Sequence, residues 1–451
     1  MSSVREFVAQ HRDRYLGWYS EACTIPSLAL QPDGLAKMAR WVEEKLQALG
    51  AEVERLTLDG APDVLLGHLG SGKRTVLVYD HYDVQPPDPL ELWKSDPFKP
   101  EIRDGFFYAR GAADNKGDLV ARLAGLEVYR EVVGELPVNI KMLVEGEEET
   151  GSRNFEALVS RYGHKLTADG CVWEGAGVDH AGRPEFVFGA KGLAYVELNH
   201  RGLNDDQHSS VAVIAPSPVW HLIAALSSLR DEDGRVLIDG FYDDAKEPTK
   251  EDWEMLETLP YDEEGELKRL GVDRFIGGST GTELLRRYFF EPTCNIAGLE
   301  AGFTERGTSK TVLPKEAMAK LDLRLVPDQN PHDIVTKLRR HLDANGFADI
   351  DITSFSMQSP VRSPVDSLVG RATLRGAKEV FGKDPAPAPL MIATGPMYPI
   401  AGTLGIPTVS PGGVCRPDSN IHAPNENVAI DDFFRTIEYT TAWIDAFATE
   451  A

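Results

Sequence analysis

Oxygen and imidazole donors of the kind that bind cations stand at five separated places in the chain. In VLVYDHYDVQP (76–86) an apolar strand ends at His81-x-Asp83. Alternate residues of a strand face the same way, so both side chains can enter a pocket at the strand end. A carboxylate behind a metal-binding histidine fixes its tautomer and raises its basicity. In ARGAADNKGD (109–118), Asp114 stands between a strand and a helix that starts near Lys116. In LVEGEEETGS (143–152), Glu145, Glu147, Glu148 and Glu149 crowd the end of another strand. Clustered carboxylates repel one another, and a divalent cation relieves the repulsion. Two adjacent glutamates can also divide the work, one binding metal and one moving protons. Glu174 in DGCVWEGAG (169–177) follows a short apolar strand, and His422 in SNIHAPNENVAI (419–430) precedes the last helix. Taken singly, each has a plainer reading: a surface polar pair, a helix N-cap, a solvated acidic face, an ordinary loop histidine. Together, His81, Asp114, Glu149, Glu174 and His422 exceed the three protein ligands that one catalytic zinc takes. The set suits two cations that share a bridging carboxylate.

The elements that must position these donors alternate between strand and helix. Leu35, Met38, Val42, Leu46 and Leu49 recur at spacings of 3 and 4, and Gly50 stops that helix. Strands follow at VERLTL (53–58), DVLLGHL (63–69) and TVLVYD (75–80), then a helix from about 116 to 129 and a strand at NIKMLVEG (139–146). A further helix starts near Asn154, and CVW (171–173) reads as a strand. This alternation predicts an α/β layer around a largely parallel sheet. The middle of the chain differs. Strands at 193–200, 317–326 and 349–355, helices at 218–229 and around 334–342, and a charged stretch at 241–290 predict an inserted α+β domain with one antiparallel sheet. The expected division is 1–190 and 361–451 for the α/β domain, and 191–360 for the insertion. A final amphipathic helix is expected over 431–447.

Charge and composition narrow the function. The 451 residues include 47 Lys and Arg against 71 Asp and Glu, a net charge of −24. That balance excludes nucleic acid or an anionic membrane surface as the main partner, and suits a protein that concentrates cations. Hydrophobic residues at 42% supply a packed core. Cys23, Cys171, Cys294 and Cys415 have no CxxC spacing, so neither a disulfide framework nor a cysteine zinc site is expected. The apolar stretch 211–229 is broken by Pro216, Pro218 and His221, and the N-terminal ten residues carry charges where a signal peptide needs an apolar run. The expected setting is cytoplasmic, with no membrane partner.

The segments HYDVQP, GAADNKG, EGEEETGS, KTVLP with LRLVP, and HAPNE run in this order across almost the whole chain. As a set they resemble the dinuclear-metal hydrolases that include carnosine-type dipeptidases, peptidase V, glutamate carboxypeptidases, acetylornithine deacetylase and succinyl-diaminopimelate desuccinylase. The resemblance implies a phosphorylase/hydrolase-like sheet sandwiched by helices, and a ferredoxin-like insertion that acts as lid and dimerisation domain. It implies that His81 and Glu174 hold one divalent metal, Glu149 and His422 a second, and that Asp114 bridges them, with a cis peptide to Asn115. The metals would be zinc, with manganese or cobalt as alternatives. It makes Glu148 the general base that deprotonates a water shared by the metals, and Asp83 the partner of His81. It further implies that His208, in DDQHSSV, reaches the neighbouring subunit's site in a homodimer and polarises the scissile carbonyl. Arg324 would grip a substrate carboxylate, and Thr311, Thr394 and Gly395 would make further substrate contacts. DVQP, LRLVP and the large middle domain resemble the dipeptidase branch, so the expected activity is hydrolysis of dipeptides or small peptides. The alternative is deacylation of N-acyl amino acids at the same metals. A metal-dependent binding protein would have lost the base or a ligand, and neither is missing.

Overall fold

The computed structural model describes residues 1–450. The chain divides into two units. One comprises Met1–Gly189, Arg362–Pro389 and the chain from Pro396 onward, and the other comprises Ala190–Val361 with Leu390–Gly395.

In the first unit, β1 (Glu52–Leu56), β2 (Val64–Leu69), β3 (Thr75–His81), β4 (Asn139–Glu145), β5 (Gly170–Val172) and the short strand Thr408–Val409 form one sheet. Its order is β1-β2-β4-β3-β5 followed by Thr408–Val409. The pairs β4–β3, β3–β5 and β5 with Thr408–Val409 are parallel, whereas β1–β2 and β2–β4 are antiparallel. The result is a mixed α/β fold with a largely parallel central sheet. β3, TVLVYDH, is buried at every position after Thr75, as a strand covered on both faces must be. The edge strand β1, EVERL, buries only Leu56.

Helix α1 (Pro32–Ala48) begins with proline at its N-terminus, where the missing N–H costs nothing. Helix α2 (Gly117–Val132) is buried along most of its length and packs against the C-terminal helix Ile430–Thr449. Gly125 permits that approach, since a Cβ there would lie 2.4 Å from Thr440 Cβ. Because β3, β4 and β5 run parallel, their carboxyl ends share one side of the sheet, the side on which open α/β sheets bind ligands.

The second unit carries an antiparallel sheet of β6 (Gly192–Arg201), β7 (Asn295–Ala301), β8 (Glu316–Leu325) and β9 (Asp351–Gln358), in the order β7-β8-β6-β9. Burial alternates along β6 and β8, the signature of a sheet with one covered face. Helices α3 (Pro218–Ser228) and α4 (Pro331–Ala344) supply the cover, with Leu222, Leu226, Ile334 and Leu338 packed on Val196, Leu198, Leu321 and Leu323. The charged stretch expected at 241–290 contains the short helices Lys250–Thr258, Glu263–Leu270 and Gly281–Phe290. The residues 390–395, expected within the returning α/β portion, group instead with the second unit. The reason is a set of hydrogen bonds: Lys191 N–H donates to Met391 O and Ala393 O, and the Thr394 hydroxyl donates to Gly192 O. Among the described residues no helix is long and apolar enough to cross a membrane.

Candidate metal centre

His81 is the last residue of β3 and is fully buried. Its Nδ1 lies 3.2 Å from Asp83 Oδ1, which turns Nε2 towards Asp114 Oδ1 at 3.0 Å and Glu174 Oε2 at 3.2 Å. Asp83 does more than orient the histidine. Its Oδ1 accepts the Glu148 N–H and its Oδ2 the Glu149 N–H, at 3.2 and 3.0 Å. One buried carboxylate therefore fixes the ends of β3 and β4 together. Arg122 of α2 adds a second tie. It donates to Tyr79 O, Asp80 Oδ1 and Trp173 O, just before His81 and Glu174.

Asp114 is not an N-cap. It lies in a tight π-turn, Ala112–Lys116, with extended φ and ψ of −131° and 98°, and α2 starts behind it. The peptide bond from Asp114 to Asn115 is cis. The turn is held by a residue that the sequence reading did not single out. Glu426 is buried, and its Oε1 accepts N–H bonds from Ala113 and Asp114 at 2.7 and 3.1 Å. Its Oε2 accepts from Gly111 N–H at 2.8 Å and from Arg110 Nη1 at 2.6 Å. Its place at the end of HAPNE was the available signal, but a short loop motif does not tell a buried acid from a solvated one.

The four glutamates at and beyond the end of β4 have separate tasks. Glu145 is buried and accepts from the Tyr79 hydroxyl and from Ser152 Oγ at 2.9 Å. Glu147 accepts the Asn154 N–H at 2.7 Å, at the start of the helix Phe155–Leu166. Glu149 Oε2 lies 3.0 Å from His422 Nε2, and His422 Nε2 lies 3.1 Å from Asp114 Oδ2. Glu174 is steadied by Trp173, whose indole N–H donates to Glu174 Oε1 at 3.0 Å.

The five residues thus form two triads, His81–Asp114–Glu174 and Asp114–Glu149–His422, each with ligand atoms within 4.8 Å of one another. Asp114 belongs to both and directs one oxygen to each histidine. Imidazole and carboxylate donors suit zinc, manganese or cobalt. With Glu148 beside them, four carboxylates can balance the charge of two divalent cations, so the donor set fits a pair of ions.

The electrostatics of the site fit as well. Burial opposes charge on His81, but hydrogen bonds with Asp114, Asp83 and Glu174 outweigh it and hold its pKa well above the ordinary value. Bonds to Asp114 and Glu149 lift His422 to about 10. Burial would raise Asp114, yet His422 and His81 hold it below its usual range. Burial and then the Glu174 charge push Glu148 well above the usual carboxylate range. Protons and cations compete for the same lone pairs.

The remaining candidates lie in the second unit. Arg324, on the interior strand β8, donates through Nη1 to Thr394 Oγ1 at 2.6 Å and through Nε to Asp322 Oδ1 at 3.2 Å. Gly395 follows Thr394, with only Met391 Cε near its Cα face, at 3.6 Å from an added Cβ. His208 is exposed; its Nδ1 accepts the Ser210 N–H at 3.2 Å, so the neutral ring carries its proton on Nε2, which lies 3.2 Å from Thr311 Oγ1. The structure thus pairs Arg324 with Thr394 and His208 with Thr311.

Known proteins similar to this chain include peptidases. The model of the peptidase family M20/M25/M40 matches residues 77–446. Beta-Ala-His dipeptidase of Rattus norvegicus is 32% identical over 434 residues, covering 89% of this chain and 85% of that protein. A Cys-Gly metallodipeptidase of Schizosaccharomyces pombe is 28% identical, covering 100% of this chain and 98% of its own. The crystal structure of an M20 family metallo-carboxypeptidase from Sulfolobus solfataricus has a TM-score of 0.89 at 39% identity, covering 96% of this chain and 99% of that one. The chain belongs to peptidase family M20/M25/M40 and is a metallopeptidase.

Proposed function

We propose that this protein is a metal-dependent dipeptidase acting on small peptides with a free carboxyl terminus. The observation that carries the reading is the pair of triads sharing Asp114, with Glu148 next to the ligand Glu149. In this reading His81 and Glu174 hold one divalent cation, Glu149 and His422 the other, and Asp114 both, with zinc the first choice. Bound there, two such cations acidify a water and draw electron density from an amide carbonyl oxygen. Glu148 takes a proton from the water whose oxygen attacks the carbonyl carbon. It returns that proton to the amide nitrogen as the C–N bond breaks, leaving a carboxylate and an amine. A carboxylate whose pKa is raised by burial and by neighbouring acids is suited to both halves of that transfer.

Arg324 is assigned to the substrate carboxylate, for which a planar guanidinium offers paired donors. Thr394 orients it, and Gly395 and Thr311 contribute further contacts. His208 is assigned to the scissile carbonyl oxygen of a neighbouring subunit, as the Nε2–H donor of an oxyanion hole. This requires a homodimer formed through the second unit. The order β6-α3-β7-β8-α4-β9 supports a ferredoxin-like lid for that unit. The negative net charge and the dispersed free cysteines support a cytoplasmic setting.

A carboxypeptidase acting on longer peptides is the second reading, favoured by the likeness to the Sulfolobus solfataricus metallo-carboxypeptidase. A substrate panel decides among the readings: dipeptides, longer peptides, their C-terminal amides, and N-acetyl and N-succinyl amino acids, each with zinc-, manganese- and cobalt-loaded protein. Dipeptides should show the highest kcat/KM, and amidation should abolish cleavage. Faster turnover of the N-acyl amino acids would replace the dipeptidase reading with a deacylase.

A further inference from the structure

The second unit gathers metal-type donors of its own. His200 is the penultimate residue of β6, His221 lies in the first turn of α3, and Asp349 stands in the loop between α4 and β9. His221 Nε2 lies 2.8 Å from Asp349 Oδ1, and His200 Nδ1 lies 3.6 Å from Asp349 Oδ2. The two imidazole rings are 4.4 Å apart between centroids and tilted by 37°. One candidate ligand atom from each residue lies within 4.8 Å of the others. We propose that His200, His221 and Asp349 bind a further divalent cation of the zinc class, at a site contained wholly in the second unit.

Two imidazoles and one carboxylate are a set that zinc takes when three ligands come from protein and a fourth position stays open. Zinc–nitrogen and zinc–oxygen bonds of ~2.0–2.2 Å put tetrahedral ligand atoms roughly 3.3–3.6 Å apart. The His200–Asp349 separation of 3.6 Å already meets that spacing. The His221–Asp349 contact must open by less than an ångström, and both side chains are free to move that far, at 30% and 57% exposed. His200 is the fixed member, 7% exposed. Its Nε2 faces Gly202, where an added Cβ would come within 3.2 Å, so Nδ1 is the nitrogen presented to Asp349. Phe347 stands edge-on to His221, with ring centroids 5.1 Å apart, and walls one side of the cluster.

The plainer account is a hydrogen-bonded clasp, in which His221 Nε2 meets the Asp349 carboxylate at 2.8 Å and His200 Nδ1 donates to the Asp349 carbonyl oxygen at a long 3.4 Å. One carboxylate can balance one imidazolium. The second ring then reaches only the backbone, and leaves the carboxylate oxygen 3.6 Å from it unengaged. A divalent cation engages both rings and the carboxylate together, without a proton on either ring. It would also tie β6, α3 and the loop before β9 to a single point, and so stabilise the second unit in proportion to its occupancy.

The test is an ion count on the full-length protein. Wild type, His221→Ala and Asp349→Asn are stripped with chelator, reloaded with zinc, passed through gel filtration and analysed for zinc per chain. Each variant should hold one ion fewer than wild type and turn over substrate at the wild-type rate in excess zinc. The difference between wild type and variant carries the result, so it is read independently of the triads around Asp114. Equal counts in wild type and in both folded variants would overturn the proposal. Wild-type crystals measured at the zinc absorption edge give a reading that needs no variant. An anomalous peak among the three side chains is expected, and its absence overturns the site.

Discussion

Replacing Glu426 tests whether the geometry around Asp114 is built from behind. Four donors converge on this one buried carboxylate: Arg110 Nη1 and the N–H groups of Gly111, Ala113 and Asp114. Glu426→Ala leaves a guanidinium that is 1% exposed without its carboxylate, and leaves three N–H groups without this acceptor. Removing one partner of a buried ion pair costs ~3–5 kcal/mol. The orphaned N–H groups each carry a desolvation cost of about 1–3 kcal/mol, part of which the turn recovers by relaxing. Against a total stability of roughly 5–15 kcal/mol, the alanine variant stands near the limit of folding. Glu426→Gln is the informative companion. Its carbonyl oxygen can still accept from Ala113 and Asp114, but its amide group then points N–H donors at Gly111 and Arg110. It should lose less stability than alanine while loosening the grip on metal, since removing a partner behind a ligand typically costs ~10–100-fold in affinity. Urea denaturation with and without chelator, combined with zinc titration, measures the two effects separately. Stability within about 0.5 kcal/mol of wild type for the alanine variant, together with unchanged zinc affinity, would refute the reasoning.

Other perturbations address the chemistry directly. Glu148→Gln should retain its metal ions and lose turnover by ~10²–10⁴-fold, because only proton transfer is removed; near-normal turnover in a steady-state assay would exclude Glu148 as the base. Asp114→Ala should release both ions of the centre, and elemental analysis that finds both retained contradicts the shared role. In the metal-free protein, His422 has its pKa raised from 6.5 to about 10 by Asp114 and Glu149. The stabilisation from this charged histidine is complete below its unfolded value and is lost as pH rises through the folded one. The urea midpoint of chelated protein should therefore fall between pH 7 and 10, and should fall less in His422→Gln, where His81 still carries a raised pKa; identical profiles for the two would contradict the assignment. His208→Ala should lower turnover ~10²–10³-fold without changing metal content. Mixing it with Glu148→Gln under subunit exchange should restore activity, and proven heterodimers without recovery would place His208 outside the partner's site.

Periodicity made much of the scaffold legible. The apolar run before His81 could only be a covered strand, and β3 is buried after its first residue. The alternation in LAYVELNH gave the half-covered strand β6. Helices expected near 116, 154, 218 and 431 start at Gly117, Phe155, Pro218 and Ile430. What periodicity does not carry is pairing between segments distant in sequence. The residues 390–395 look like part of a Pro-rich loop, and their membership of the second unit rests on backbone bonds made from Lys191, some 200 residues earlier. Sheet polarity is equally hidden, because β2 and β3 are both apolar yet run oppositely beside β4.

The same division applies to the site. Residue types at strand ends were enough to nominate the donors, because a cation needs particular atoms and few side chains carry them. The residues that aim those donors use ordinary chemistry in unusual burial, and burial is a property of the folded chain. In the run EGEEE, one-dimensional spacing leaves four acids equivalent. In the structure, Glu145 is still part of β4 and turns into Tyr79 and Ser152, Glu147 meets the start of the next helix, and only the last two reach the donors. What sorts them is Asp83, whose two oxygens take the backbone N–H groups of Glu148 and Glu149 while its Oδ1 also backs His81. A motif at the end of one strand thus sets the direction of two residues just beyond the end of another. That link, together with Glu426 behind the Asp114 turn, explains how a site assembled from five separate segments can hold Asp114 between two histidines at hydrogen-bond distance. Trp173 steadies Glu174 and Asp83 backs His81 from within their own segments, whereas Glu149 and Asp114 lean on Asp83 and Glu426 from distant ones, so those two turns do not position their donors alone.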